Sequence, residues 1–227
     1  NPQSSLAYPR WPTILELKST QSLWYRAAMF NFALMVFCLV LGLFDDRTLN
    51  GISVWSKPTK FGLSTGIYFL TLVWFATFLD ARTLRGTGGK WLVGISSIAG
   101  IFEVVYIAIM ASLGEASHFN FSSIFTIIMY IFMGVGAVSM VLILPWMAYL
   151  IAKQNSMANA LVFAIVIGLC LTCLLGGGFG IYLSGNVGHW VNAAPTDANG
   201  IWLFNWATDG GDLRVAHFFG IHAMHAF

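Results

Sequence analysis

Residues 157–183, MANALVFAIVIGLCLTCLLGGGFGIYL, form a run without a single charged side chain. About 20 apolar residues carry a helix across a hydrocarbon layer about 30 Å thick, so this run is long enough to span a bilayer. Elsewhere in the chain, further apolar runs occupy residues 23–43, 61–79, 91–113, 122–152 and 215–227. The sequence therefore predicts an all-α fold, a polytopic transmembrane helical bundle of about six spans.

The composition excludes a soluble domain. Hydrophobic residues make up 58% of the chain and charged residues 9%, whereas soluble domains carry about 25% charged residues. The net charge of +2 and the lack of a basic block interleaved with aromatic residues exclude nucleic acid as a partner. The expected partner is the lipid bilayer, and other membrane proteins or further copies of the chain stay open as protein partners.

The predicted organisation is a polar N-terminal segment at residues 1–22 and a single transmembrane domain at residues 23–227. Cytoplasmic loops carry an excess of Lys and Arg. Seven basic residues are predicted to lie on the same side of the membrane as the N-terminus, and four on the opposite side. This count predicts a multi-pass protein with a cytoplasmic N-terminus. We also expect the natural chain to continue beyond Phe227, because a carboxylate there would lie in hydrocarbon.

Glu103 is the one acidic residue inside the third predicted span. It lies about ten residues from the end of that span, which at 1.5 Å per residue is about 15 Å deep. A carboxylate at that depth needs a partner or a proton. Small and polar residues share its helical face, which therefore points into the bundle. We predict proton transfer at Glu103, with Tyr130 of the fourth span as a further polar candidate.

The last predicted span carries His217, His222 and His225, of which the last two lie on nearly the same helical face. Their estimated depth of about 10 to 15 Å matches that of Glu103. Imidazole is a common ligand of haem iron, copper and zinc, and it also relays protons. We predict a metal or cofactor site at these three histidines, with His118 at the entrance of the fourth span as a further ligand. The spacing H-x4-H-x2-H does not define the metal.

Three basic residues border the predicted spans on the side opposite the N-terminus. Lys57 and Lys60 precede the second span, and Arg214 precedes the sixth. Such side chains hold anionic ligands or lipid phosphates, or extend to the interface as anchors. We predict a site for an anionic ligand or lipid here, with simple anchoring as the alternative.

The fifth span is rich in glycine, with Gly168, Gly176, Gly177, Gly178 and Gly180. Without side chains, these positions allow a neighbouring helix or a flat ligand to approach the backbone. Of the two, close helix packing is the commoner reason for such a pattern.

Three stretches resemble an uncharacterised family of bacterial polytopic inner-membrane proteins. They are Trp55-Ser-Lys-Pro-Thr-Lys-Phe61, the segment from Glu103 through Gly114-Glu-Ala-Ser-His-Phe-Asn120, and Arg214-Val-Ala-His-Phe-Phe-Gly-Ile-His222. Together they cover about a third of the chain. The resemblance implies a bacterial cytoplasmic (inner) membrane and brings no activity or residue role with it.

Three functions stay open from the sequence. The one we favour is a membrane-embedded redox or metal site for electron transfer, holding haem b or a transition metal through the span-six imidazoles, with His118 or His217 opposite and Glu103 nearby. The second is a proton-coupled transporter or conducting subunit that uses Glu103 and the histidines. The third is a non-catalytic subunit that packs into a larger membrane complex. Whether the protein is an enzyme is left undecided.

Overall fold

The computed structural model describes residues 13–186 and 188–227, so the first twelve residues of the predicted polar segment lie outside it. Within this part of the chain the fold is all-α, as predicted. The helices are α1 (Ile14–Thr20), α2 (Ser22–Leu41), α3 (Ser56–Ala76), α4 (Ala81–Arg85), α5 (Thr87–Leu113), α6 (Ile124–Gln154), α7 (Ala160–Ser184), α8 (Leu213–Ile221) and α9 (Ala223–Ala226). Two small antiparallel pairs join β1 (Thr48–Leu49) to β2 (Ile52–Ser53) and β3 (Trp190–Val191) to β4 (Gly211–Asp212).

Four of the described helices, α2, α5, α6 and α7, are long and apolar enough to cross a membrane. Large apolar side chains cover their outer faces, among them Ile98 at 71% exposure and Ile124 at 77%. A soluble protein rarely exposes so continuous an apolar surface, so the structure fits a membrane protein. The predicted count of six spans is supported for these four helices only. The other two predicted spans correspond to α3 and to the short pair α8 and α9.

Local capping explains where the long helices begin and end. The hydroxyl of Ser123 accepts from Thr126 N at 3.1 Å and the hydroxyl of Thr126 accepts from Ser123 N at 3.2 Å, which is a capping box at the start of α6. The side chain of Asn159 caps α7 through Leu161 N. Gly114 ends α5 in the left-handed conformation, at φ 73°, which glycine adopts without steric cost.

The long helices α2, α3, α5, α6 and α7 alternate in direction along the chain, so α2 and α5 run parallel. Trp24 Nε1, in the first turn of α2, donates to Ser96 Oγ, in the third turn of α5, at 2.8 Å. At the other end, Arg47 Nη1, in the loop after α2, donates to the carbonyl of Ser112, in the last turn of α5, at 3.0 Å. Helix α3 packs antiparallel against both. We call the end of the bundle at which α2, α5 and α7 finish the loop end.

The glycine-rich face of α7 packs against α8 and α9. A Cβ added at Gly220 would lie 2.7 Å from the backbone nitrogen of Gly176, and one added at Gly176 would lie 2.9 Å from the side chain of Ile221. One turn before Gly176, Thr172 Oγ1 accepts from Met224 N at 2.8 Å. The interpretation that these glycines serve helix packing is therefore confirmed at Gly176, with Gly220 as its partner.

The same contact changes the last predicted span. Residues 215–227 were expected to form one helix, but α8 ends at Ile221 and α9 begins at Ala223. Because Met224 N donates to Thr172, it is not available to the carbonyl one turn back, and the helix breaks at His222.

Replacing Gly220 by Val is expected to destabilise the protein by about 1 to 3 kcal/mol, the cost of overpacking a tight contact. The reason is that the backbones of α7 and α8 cannot separate without losing their packing. Thermal unfolding in detergent measures the loss. The matched control is Gly178→Val, where an added Cβ meets nothing within 4 Å. Equal losses in the two variants would show that helix propensity, and not packing, is responsible.

Candidate functional site

A network of charged groups lies at the loop end, in the segment between α7 and α8 and the first turn of α8. Arg214 Nη2 donates to Asp212 Oδ2 at 2.6 Å and to Asp197 Oδ1 at 2.8 Å. His189 Nε2 lies 3.1 Å from the same Asp197 oxygen. The side chains of Asp197 and Asp212 are 7% and 1% exposed. This arrangement gives the Arg214 guanidinium two buried carboxylate partners within the chain.

Lys60 belongs to the same network. Its Nζ donates to Asn205 Oδ1 at 2.6 Å and to the carbonyl of Phe204 at 3.3 Å. Two of the three basic residues predicted for an anionic ligand or lipid, Lys60 and Arg214, therefore bind groups of the protein itself. Their predicted role as ligand or lipid contacts stays a prediction.

The two carboxylates of the network keep their charge into acid. Burial alone would raise the pKa of Asp197, but the hydrogen bond from His189 and the charge of Arg214 outweigh it, so the pKa lies below its ordinary value. At Asp212 burial is likewise outweighed, mainly by the hydrogen bond from Arg214, and the pKa is lowered. Groups with a lowered pKa stabilise the fold above their unfolded value, about 3.9. This stabilisation is lost as the pH falls through their folded pKa values.

Replacing Arg214 by Met is expected to cost roughly 3 kcal/mol of local stability at neutral pH, because it leaves two buried carboxylates without their cation. Hydrogen exchange measures the effect at Leu213 N, which donates to the carbonyl of His189 at 2.9 Å. The matched control is Arg47→Met, which removes the pair with Asp45, also two residues earlier, but at 51% and 21% exposure. An exposed pair contributes about 0 to 1 kcal/mol. Equal protection of Leu213 N in wild type and Arg214→Met would refute the role of this network.

The third basic residue, Lys57, binds a histidine. Its Nζ lies 3.0 Å from His118 Nδ1, and the hydroxyl of Ser117 lies 3.1 Å from the same nitrogen. An ammonium group can only donate, so His118 Nδ1 accepts and the ring proton is on Nε2. Burial lowers the pKa of His118 well below its ordinary value, and the charge of Lys57 lowers it further. His118 is therefore a neutral imidazole at physiological pH.

Aromatic rings enclose His118. The ring of Phe61 lies 5.9 Å from it and the ring of Tyr130 lies 6.0 Å from it, centroid to centroid. The hydroxyl of Tyr130 donates to the carbonyl of Ser184 at 3.3 Å. Tyr130, one of the two residues predicted for proton transfer, thus borders His118, and its hydroxyl bonds to the end of α7. Its role in proton transfer stays a prediction.

Glu103 lies on α5 and is partly buried. The charged group that acts on its carboxyl is Lys57, and their charges attract each other. Among residues 13–186 and 188–227, no ion pair within 4 Å and no hydrogen bond reaches the carboxyl of Glu103. Lys57 therefore bonds His118 and acts on Glu103 from a greater distance. We call these three residues the Lys57 cluster.

The span-six histidines form a separate group. His217 Nδ1 lies 3.1 Å from the carbonyl of Gly176, so this nitrogen carries the ring proton. His222 Nδ1 and His225 Nδ1 lie 3.2 Å apart, so one of them donates to the other. The ring of His222 also packs on Phe218 at 4.3 Å. These contacts join the histidines to α7, to α8 and to one another, and do not include Glu103.

A metal centre at these histidines is not supported by their arrangement. In the described part of the chain, no three or more His, Cys, Asp or Glu side chains lie close enough together to hold a metal ion. His222 and His225 would supply two ligands, fewer than the three protein ligands usual at a catalytic zinc. The haem b and transition-metal predictions stay predictions, as does the ligand role of His118.

Two residues of the loop end were not among the predicted site residues. Asp197 and His189 lie in an irregular segment without periodicity, and no motif marks them. The one available signal was the pairing of Asp212 with Arg214 two residues apart, which indicates a side chain that folds back on its own turn. That Asp197 binds both Arg214 and His189 could be identified only from the fold.

Comparison of the chain with family models, curated proteins and solved structures finds no match. The resemblance to a family of bacterial inner-membrane proteins therefore stays a prediction.

Proposed function

We propose that this protein is a proton-coupled transporter or conducting subunit of a bacterial inner membrane, with the N-terminus in the cytoplasm, and that the Lys57 cluster is its proton-handling site. The observation that carries the proposal is the 3.0 Å contact of Lys57 Nζ with His118 Nδ1. It joins a cation to a neutral imidazole on one side, while the charge of the same cation acts on Glu103 on the other.

The proposal includes six spans, with α3 and the pair α8 and α9 added to the four apolar helices. Helix α3 begins at the loop end, where Lys57 contacts His118. It finishes at the opposite end, where Asn155 Nδ2 donates to the carbonyl of Phe78 at 2.8 Å. A helix that joins the two ends crosses the same thickness as α5 and α6. Its lower apolar character suits a helix that packs against α2 and α5 and carries polar groups inward.

The chemistry follows from the three side chains. A carboxylate inside a bilayer either takes up a proton or keeps a cation near it. Glu103 can do both, because the Lys57 ammonium lies within electrostatic range. His118 Nδ1 accepts a hydrogen bond from Lys57, so it can take the ammonium proton along this contact, which leaves Lys57 a neutral amine until it binds another proton from the loop end. A proton that enters at the loop end can therefore pass through His118, which does not retain it, and be held at Glu103.

Reconstitution into liposomes tests the proposal. Purified protein under a potassium diffusion potential is expected to acidify or alkalinise the lumen faster than protein-free liposomes, as followed with an enclosed pH-sensitive dye. If a solute is the coupled substrate, flux appears only once that solute is added, so the assay is repeated with amino acids, organic acids and metal cations. Flux equal to that of protein-free liposomes under all of these conditions would contradict the proposal.

A second candidate, cofactor binding, has one observation in its favour, the 3.2 Å pair of His222 and His225. Two imidazoles can ligate a haem iron or part of a metal site. An absorbance spectrum and elemental analysis of freshly purified protein decide this candidate. A Soret band or stoichiometric metal would establish it, and the absence of both would remove it.

A further inference from the structure

The parallel packing of α2 and α5 sets which of their residues share a level. Trp24 on α2 bonds Ser96 on α5, a separation of 72 positions in the chain. Seven residues make two turns of an α-helix and return to nearly the same face. Two turns further toward the loop end, the residue pair with the same separation is Asn31 and Glu103. Both helices continue without interruption through this level.

Asn31 faces the interior of the bundle. It is 0% exposed and lies on the buried face of α2 that also carries Trp24, Ala27, Ala28 and Cys38. On its other side α3 approaches so closely that a Cβ added at Gly62 would lie 3.0 Å from the Asn31 carbonyl. The side chain of Asn31 is therefore enclosed by protein and shielded from lipid.

The amide of Asn31 has one free acceptor. Its Nδ2 donates to the carbonyl of Ala27 at 2.8 Å. A carbonyl can only accept, so the nitrogen must be the atom on that side and Oδ1 the atom on the other. In the described part of the chain Oδ1 has no hydrogen-bond partner. A buried acceptor without a donor costs about 1 to 3 kcal/mol.

The titratable groups around this level are few. Helix α5 carries Glu103 and, one turn closer to the loop end, Tyr106. Helix α2 carries Cys38, two turns closer to the loop end than Asn31. The other titratable groups are Lys57 of α3, His118 of the loop before α6, and Tyr130 of α6. His118 and Lys57 bond each other, and Tyr130 bonds Ser184. Of these groups, Glu103 when protonated and Tyr106 can donate to Asn31 and have no other hydrogen bond among the described residues; the hydroxyl of Tyr106 is also buried.

From this register we infer that Asn31 Oδ1 accepts a hydrogen bond from the protonated carboxyl of Glu103, and so is the positioning residue that holds the proton on that acid. Glu103 is favoured over Tyr106 because it lies at the level of Asn31, while Tyr106 lies about 4.5 Å further along the helix. The inference rests on the proposed function, whose proton-binding residue it describes.

Infrared spectroscopy of the reconstituted full chain tests the inference directly. The wild type is expected to show a carboxylic C=O stretching band that disappears in Glu103→Gln. In Asn31→Leu, which keeps the branched shape of the side chain and removes the acceptor, this band is expected to move to higher frequency. Its titration midpoint should move to lower pH by about half a unit or more, the shift that one hydrogen bond of ordinary net strength gives.

Two controls keep the result interpretable. Ser97→Ala removes another buried and unpartnered hydroxyl of α5 and should leave the band unchanged. Tyr106→Phe separates the two donors: a band that moves in Tyr106→Phe but not in Asn31→Leu would overturn the inference. An unchanged band in an Asn31→Leu protein that unfolds at the wild-type temperature would overturn it as well, as would the lack of any band that depends on Glu103.

The infrared result is distinguishable from failure of the proposed function. A band that moves in Asn31→Leu without any proton flux in liposomes would leave the hydrogen bond in place and remove the transport role. Proton flux that depends on Glu103, together with a band that is unchanged in Asn31→Leu, would support the transport role and overturn the hydrogen bond.

Discussion

Replacement of Glu103 by Gln is expected to lower proton flux in liposomes by about 100-fold or more, the contribution typical of a positioned group that takes up and releases a proton. Gln keeps the size and the hydrogen-bonding oxygen of Glu103 but cannot bind a proton in this pH range. Gln is neutral, like the protonated form of Glu103, so the loss would be due to the missing proton site.

The matched control for this variant is Glu115→Gln. Glu115 is exposed and follows the end of α5, and within the described part of the chain its side chain makes one hydrogen bond, with Asn120 Nδ2 at 3.5 Å. The control makes the same substitution at the loop end, beyond the last residue of α5. Equal losses of flux in the two variants would show that overall charge, and not the intramembrane carboxyl, governs transport.

Replacement of Lys57 by Met is expected to change the pH dependence of flux as well as its size. Burial lowers the pKa of His118 first and the Lys57 charge lowers it second. Removing the charge therefore raises the pKa of His118, although burial still holds it down. His118 becomes protonated at higher pH than in the wild type. The part of the curve of flux against pH that follows the protonation of His118, here called the pH limb, should therefore move to more alkaline pH. The flux maximum should fall by about tenfold or more, since the relay loses a hydrogen-bonded member.

Lys60→Met is the comparison for Lys57→Met, because it removes the same charge one turn along α3. Lys60 bonds Asn205 in the segment between α7 and α8 and does not contact His118. We expect it to loosen that segment and to leave the position of the pH limb where it is in the wild type. A limb that moves equally in both variants would mean that the surface potential of the loop end, and not the Lys57 contact, sets the protonation of His118.

The long helices could be predicted from the chain because apolar runs of span length have few other structures open to them. Helix α7 was predicted at residues 157–183 and runs over Ala160–Ser184. The difference at its start comes from Asn159, whose side chain caps the helix. Helix α3 was placed at residues 61–79 but begins five residues earlier, since Lys57 and Lys60 lie within it and bond inward.

The site was predicted in part. Glu103, Lys57 and His118 were each selected from the sequence, but Glu103 was grouped with His222 and His225. Distance along a helix gives the depth of a residue, and depth was the basis of that grouping. It does not give the direction in which neighbouring helices lie, which decides the neighbours of a side chain. In the structure Lys57 is the charged group that acts on Glu103, and the histidines bond to α7 and to each other.

By itself, the sequence determined that the chain is all-α and apolar enough for a bilayer, and that Glu103 lies deep in one helix, because these properties depend on local composition and on helical rise alone. Only the tertiary structure decided that Lys57 would bond His118, that Thr172 would interrupt the last helix at His222, and that Asn31 would share a level with Glu103. Each of these depends on the register between helices far apart in the chain, which is set by the fit of many side chains together and is not encoded at any single position.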